Sequence, residues 1–397
     1  MTSPFPGQCD LLVAGGGVAG LPAAVAAARL GASTLLVERE AFLGGMGVSA
    51  LHRYICGLYL NGPDAPVDTL NAGITREIVD RLRNLSPASH PVRLGRAWVF
   101  PFEPRHLQTV YSDLARIESS LAIMPSTTVQ GVSCESGRIR SVTLQTPDGI
   151  VELTPSAVID CTGEGTVIRL SGTPYELAPE RERQIAGCTL ELDGIEGDRD
   201  FIGVKIAWHL ARLPAGGKTA LPLFAGFAPG PGAQDGFCKL SLPAGLGIKA
   251  ATQLDELLAR LHALLAERLP ELRNSRVTRH SGMMERDGIR LAGEWELDET
   301  SIIEARTFPD DVVRNAWPIE FWDSTGVPSY SYPPDGAYYG IPVRCLRSRA
   351  IRNLFASGRC ISASNRSLAS TRVMGTCMSL GEAAGIEAAL FTQKNLI

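Results

Sequence analysis

The chain has 397 residues, a formal net charge of −4 and 20% charged residues. That length accommodates two domains and a large core, and the near balance of charge, without a basic tract, offers nothing to nucleic acid. Nine scattered cysteines contain no CxxC pair, which argues against an iron–sulfur cluster or thioredoxin-like centre, and their odd number points to reduced thiols in a cytoplasm.

In chain order, residues 1–8 lack a charged start followed by an apolar run, so no signal peptide is expected. Leu11 to Ala14 forms a short apolar strand of the buried parallel kind. Gly15-Gly16-Gly17-Val18-Ala19-Gly20 follows: Gly15 for a tight turn, Gly17 for backbone approach to a pyrophosphate, Gly20 for close helix–strand packing. The next helix tolerates Pro22 near its first turn, aims unpaired N–H groups and partial positive charge at that pyrophosphate, and is too short an apolar run to cross a bilayer. A second strand ends at Glu38, a carboxylate placed to accept hydrogen bonds from a ribose, with Arg39 beside it. The loop through Gly44, Gly45 and Met46 returns toward the same ligand. Helical spacing covers 68–84 and 103–118, and strand-like runs at 121–124, 127–133, 139–145 and 150–153 form a small β-meander. Another buried strand, 157–160, ends in Cys161-Thr162-Gly163-Glu164-Gly165. From 171 to 340 the pattern changes: helices at 199–212 and 252–268, proline- and glycine-rich loops, and most of the tryptophans. A strand-like 353–358 and a helix over 376–391 close the chain.

These motifs, with Phe42-Leu43-Gly44-Gly45, Ile159-Asp160-Cys161-Thr162-Gly163, the middle stretch 286–295, Asn353 to Ser364 and Arg372-Val373-Met374-Gly375-Thr376-Cys377-Met378, resemble the FAD-dependent oxidoreductases of the glutathione-reductase-like flavoprotein group. The resemblance runs over nearly the whole chain. It implies an α/β fold: a Rossmann-like FAD-binding domain with a β-meander (residues 1–170 and 341–397) and an inserted α+β substrate or cap domain (171–340). It also implies bound FAD, with the backbone of Val129 at the adenine, Cys161, Thr162 and Gly163 beside the pyrophosphate and Gly358 and Arg359 at the ribityl chain and phosphates. N–H groups from Gly375 through Thr376 and Cys377 to Met378 would then face the flavin pyrimidine edge, where the helix dipole stabilises negative charge on the reduced ring. Three departures stand out: Gly163-Glu164-Gly165 in place of Gly-Asp-Gly, Gly375 in place of proline, and Glu320 and Trp322 where relatives tend toward Asp and His.

The proton acceptor of a flavin dehydrogenase is sought in His52, His280, Tyr54 or Tyr339; His52, just beyond the glycine loop, is either near substrate or a hydrogen-bonded structural histidine. Cys56 is either redox-active or a buried apolar residue. Arg53, Arg344, Arg359 and Arg372 are either a carboxylate-binding fork or phosphate contacts and structural ion pairs. The aromatics from Trp317 to Tyr339 either wall a substrate pocket or fill a seam. The expectation is therefore a cytoplasmic FAD-dependent dehydrogenase or oxidase that passes a hydride from a small-molecule substrate to flavin N5 and is reoxidised by oxygen, a quinone or a redox protein, with no metal, nucleic-acid or membrane partner. The alternatives are a flavin monooxygenase or halogenase, against which the absence of Trp-x-Trp-x-Ile-Pro speaks, and a non-enzymatic binder on a flavoprotein fold. The oligomeric state is not legible.

Overall fold

A computed structural model describes residues 8–210, 212, 224–230, 232–242 and 251–394. The N-terminal stretch and the last residue or two of the helix expected over 199–212 are named above but lie largely outside the described residues. The fold is mixed α/β around a parallel, Rossmann-like sheet. Leu121–Met124, Thr34–Val37, Gln8–Ala14, Gly149–Asp160 and Leu354–Ala356 lie side by side in that order and run parallel. All four residues of Thr34–Val37 are buried, as expected of a strand covered on both faces.

The runs expected at 150–153 and 157–160 are one strand, Gly149–Asp160. Val151 to Leu153 pair antiparallel with the meander strand Arg138–Thr146, and Thr154 onward pairs parallel with Gln8–Ala14. Pro155 lies just beyond this change of partner. A missing N–H is tolerated where one ladder gives way to another, so the proline does not break the strand. Thr128–Glu135 completes the meander. Its inward residues Val129, Val142 and Leu144 cover one face of the parallel sheet, packing with Leu12 and Val158.

Helices cover the opposite face. Gly20–Arg29 and the final helix Met374–Lys394 are in the closest contact: a Cβ on Gly381 would lie 2.0 Å from the carbonyl oxygen of Ala19, and one on Gly385 2.1 Å from that of Ala23. Ile74–Leu85 and Pro104–Ile117 pack outside them through Ile78, Leu82, Leu107 and Leu114.

A separate antiparallel sheet has the order Phe224–Pro229, Gly236–Leu242, Ala186–Asp193, Arg276–His280. Period-two alternation divides its faces. Cys188, Leu190, Leu192, Cys238, Leu240 and Leu242 point to a core shared with Leu254, Leu258, Leu261 and Leu265, which form one stripe of the helix Ala251–Arg268. Gly187, Thr189, Phe237 and Lys239 point the other way, into the cleft described next.

Candidate functional site

One cleft of about 1480 Å³ runs from the carboxyl ends of the parallel strands to the underside of the antiparallel sheet. A typical small-ligand site occupies about 300–1,000 Å³, so this one has room for a dinucleotide and a second molecule.

Its first end is the glycine turn. Gly15 has φ +97°, and a Cβ there would sit 2.6 Å from the carbonyl oxygen of Cys161. Gly20 is more restricted still, since its Cβ would lie 1.7 Å from the oxygen of Gly15. Gly17 differs: nothing lies within 4 Å of its Cβ position, which opens into the cleft. No side chain caps the helix at Ala19, and the N–H groups of Gly17, Val18 and Ala19 donate to nothing among the described residues. Unpaired donors at a helix N-terminus beside an open glycine face suit a pyrophosphate. Glu38 is buried at the end of its strand; its two oxygens accept from the N–H groups of Gly16 (2.6 Å) and Glu40 (2.9 Å). Thr127 N–H is bonded to Glu38 O at 2.8 Å, which brings Val129 to the same wall. Thr162 and Gly163 form the opposite wall, fixed by buried Asp160, which accepts from Thr162 N–H, Thr162 Oγ1 and Ile168 N–H. Arg39 and Glu164 form an ion pair of 2.8 Å at the rim. The parts thus match the needs of an FAD nucleotide half.

Not every residue expected here reaches the cleft. Gly45, Met46, Cys161, Gly358, Arg359 and Cys377 line it, with Val18, Ala19 and Arg39. Gly44 does not: its N–H is bonded to Gly16 O at 2.9 Å, so it braces the turn from behind. Gly20 serves in packing alone. Gly375, Thr376 and Met378 also stay outside. The N–H of Gly375 is taken by Cys56 O (2.8 Å) and that of Cys377 by Val373 O (2.9 Å), so these two donors cannot point at a ligand. Val373 and Met374, the two residues before Gly375, line the cleft instead.

The second end holds His52, Arg53, Tyr54 and Cys56. His52 makes no hydrogen bond among the described residues, so it is not a hydrogen-bonded structural histidine. Burial, then the positive charges of Lys239, Arg286 and Arg372, push its pKa down to about 3, leaving the imidazole neutral with its lone pair free. The unfolded imidazole protonates near pH 6.5 and the folded one only near pH 3, so between these values the unfolded state binds more protons and stability falls as pH falls. His52→Gln is therefore expected to flatten the decline in urea midpoint between pH 6.5 and 4.5, by up to about 1.4 kcal/mol per pH unit; parallel slopes for the two proteins would show that His52 is not held neutral.

Arg53 lines the cleft but is paired with Glu103 and stacked 4.9 Å over the ring of Phe237. Burial, and then Glu320, push the Cys56 thiol up to about 12, which removes the thiolate a redox role needs. Tyr339 and Arg344 are corrections. Tyr339 is fully buried in the core, where its hydroxyl meets Asn315 Nδ2 (2.7 Å) and Ser370 Oγ (2.6 Å). Arg344 is held by Asp310 at 2.9 Å, away from the cleft. His280 is bonded to Asp255 at 2.7 Å and likewise lies elsewhere. Lys239, which no motif covers, and Arg286, which a motif covers without giving it a role, line the cleft with Glu320, Trp322 and Arg372. The signal for Lys239 was available: in Phe237-Cys238-Lys239-Leu240-Ser241-Leu242 it sits on the more polar face of an alternating strand.

Among the described residues no helix is long and apolar enough to cross a membrane. No curated protein matches the chain. Similar solved structures include a geranylgeranyl bacteriochlorophyll reductase-like protein from Thermoplasma acidophilum (14% identity, 98% of this chain and 79% of that one, TM-score 0.47). Others are OxyS anhydrotetracycline hydroxylase from Streptomyces rimosus (15%, 73% and 55%, 0.48) and the flavin-dependent brominase Bmp2 (13%, 98% and 79%, 0.47). The family model described as FAD dependent oxidoreductase matches residues 10–221 and 243–397, and the chain belongs to that family of FAD-using enzymes.

Proposed function

We propose that this FAD-dependent oxidoreductase acts as a dehydrogenase or oxidase on a small-molecule substrate, within the glutathione-reductase-like group. The observation that supports this reading best is the continuity of the cleft: a nucleotide turn at one end opens directly onto a chamber walled by Trp322, Tyr330, Tyr332 and Phe237 at the other. No CxxC pair exists to relay electrons, and Cys56 is held as a thiol, so the electrons come from the molecule in that chamber. FAD, when bound, supplies a hydride acceptor at N5. The chain does the rest. The N–H groups of Gly17 to Ala19 would hold the pyrophosphate, Glu38 the ribose and the Val129 segment the adenine, with Arg359 as a further phosphate contact. His52, held neutral, offers a substrate O–H or N–H an acceptor nitrogen and so helps to orient it. The sheet containing Lys239 roofs the chamber and limits water access. In this reading residues 1–170 and 341–397 carry the cofactor and 171–340 the substrate, in a soluble, cytoplasmic protein.

Anaerobic mixing tests the proposal. The holoenzyme is expected to bleach in the visible range with an alcohol, amine or carbonyl-adjacent substrate and no reductase present. Bleaching only with a nicotinamide nucleotide, with substrate consumed only once oxygen is admitted, would establish the monooxygenase reading instead.

A further inference from the structure

We propose that Lys239, Arg286 and Arg372 recognise a carboxylate on the substrate, which makes the substrate an aromatic or alicyclic acid rather than an amine. This rests on the reading of the chamber as a substrate site. The three cations come from three separate segments; two meet over one indole and the third reaches the backbone two residues before it. The Arg286 guanidinium carbon lies 4.5 Å from the centroid of the Trp322 ring and the Lys239 ammonium 5.1 Å from it. Arg372 Nη2 reaches the carbonyl oxygen of Glu320, two residues before Trp322, at 3.3 Å.

None of the three has an ion-pair partner among the described residues. Their partners are neutral: Arg286 donates to Ile185 O, and Arg372 to Gln184 Oε1 (3.3 Å) and Glu320 O. Among the described residues Arg372 Nε is buried without a partner and the Lys239 ammonium makes no hydrogen bond. The carboxylates acting on them are already engaged. Asp287 accepts from Gln184 N–H (2.6 Å) and Nε2 (2.9 Å), and Glu320 accepts from Trp322 Nε1 (3.0 Å). Arg286 is only 7% exposed. Cations without an ion pair in such a place destabilise the empty fold: burial lowers the proton affinity of Arg286 and Arg372, Arg372 lowers that of Arg286 further, and Glu320 and Asp287 offset this only in part. An anion reverses that cost.

The donors leave little choice of ligand. Lysine and arginine offer N–H groups and no acceptor, so an ammonium group would be repelled, whereas a carboxylate matches the arginine fork. The neighbours of Lys239 across the sheet, Thr189 and Gly226, are small and leave its head group clear. Trp322, Tyr330, Tyr332 and Phe237 supply the flat apolar wall for the body of the acid. The nucleotide phosphates are served at the other end of the cleft, by the glycine turn.

The test is binding without turnover. FAD-loaded protein is titrated with benzoate and benzamide, phenylacetate and phenylacetamide, and cyclohexanecarboxylate and its amide, reading the visible flavin spectrum and the thermal midpoint. At least one acid is expected to bind ten-fold or more tightly than its amide. Lys239→Gln, which breaks no side-chain hydrogen bond or ion pair among the described residues, is expected to erase that preference while keeping the wild-type FAD content; Arg372→Lys should keep part of it. The proposal fails if no pair shows a preference, or if Lys239→Gln retains it. It also fails if Lys239→Gln loses FAD instead, which would assign the cations to the cofactor. Failure of the dehydrogenase reading is separate: it appears as absent anaerobic bleaching, which this titration does not need.

Discussion

Gly17→Leu is expected to give a folded protein that no longer holds FAD. The position does not have a positive φ and has nothing within 4 Å of where a Cβ would stand, so the leucine side chain starts into the open cleft and not into protein atoms. It occupies the space a pyrophosphate needs beside the free N–H groups of Val18 and Ala19. FAD affinity should drop by at least about 100-fold, corresponding to about 2.8 kcal/mol. The urea midpoint must be compared between cofactor-free proteins, because loss of a ligand that binds only the native state lowers apparent stability by itself. Equal midpoints with a colourless variant are the expected pair of results. A yellow variant would mean that the pyrophosphate does not cross Gly17.

Gly381→Ala reverses the pattern and acts on the fold first. The added methyl would sit 2.0 Å from the carbonyl oxygen of Ala19, a backbone atom that cannot rotate away. The helices Gly20–Arg29 and Met374–Lys394 must then separate, opening a core that includes Ala23, Ala27, Ala384 and Ala388. Overpacking of this kind costs about 1–3 kcal/mol, and the backbone contact puts this case at about 3 kcal/mol or above. Ala19 also belongs to the glycine turn, so FAD retention falls with stability. Urea denaturation of the cofactor-free variant measures the first effect and the absorbance ratio of flavin to protein the second. An unchanged midpoint would show that the two helices have slack between them.

The two substitutions bear on what the sequence made legible. The turn from Gly15 to Gly20, the strand ends at Glu38 and Asp160, the meander with its turns at 135–138 and 146–149, and the final helix were readable because each is local. Such signals need only a few neighbouring residues. The catalytic candidates were not. Tyr339 and Arg344 stand near glycine and proline, as site residues often do, yet their environment is set by Asn315, Ser370 and Asp310, far away in the chain. Gly375 belongs to a recognisable motif, but its N–H is taken by Cys56, a contact between segments more than three hundred residues apart. Of the cation cluster, Arg372 was legible as a candidate for a carboxylate fork; its grouping with Lys239 and Arg286 was not, because the three come together only once their segments fold near Trp322.

The seam between the first and last helices also sets an order of events during synthesis. The alanine-rich helix leaves the ribosome early, with its glycine turn already complete. Its packing partner is translated tens of seconds later, at about 5–20 residues per second. Until then the small-residue face of Gly20–Arg29 lacks the helix that covers it. The cofactor cleft, which Met374 and Cys377 help to line, is thus complete only once the last helix has docked on that face.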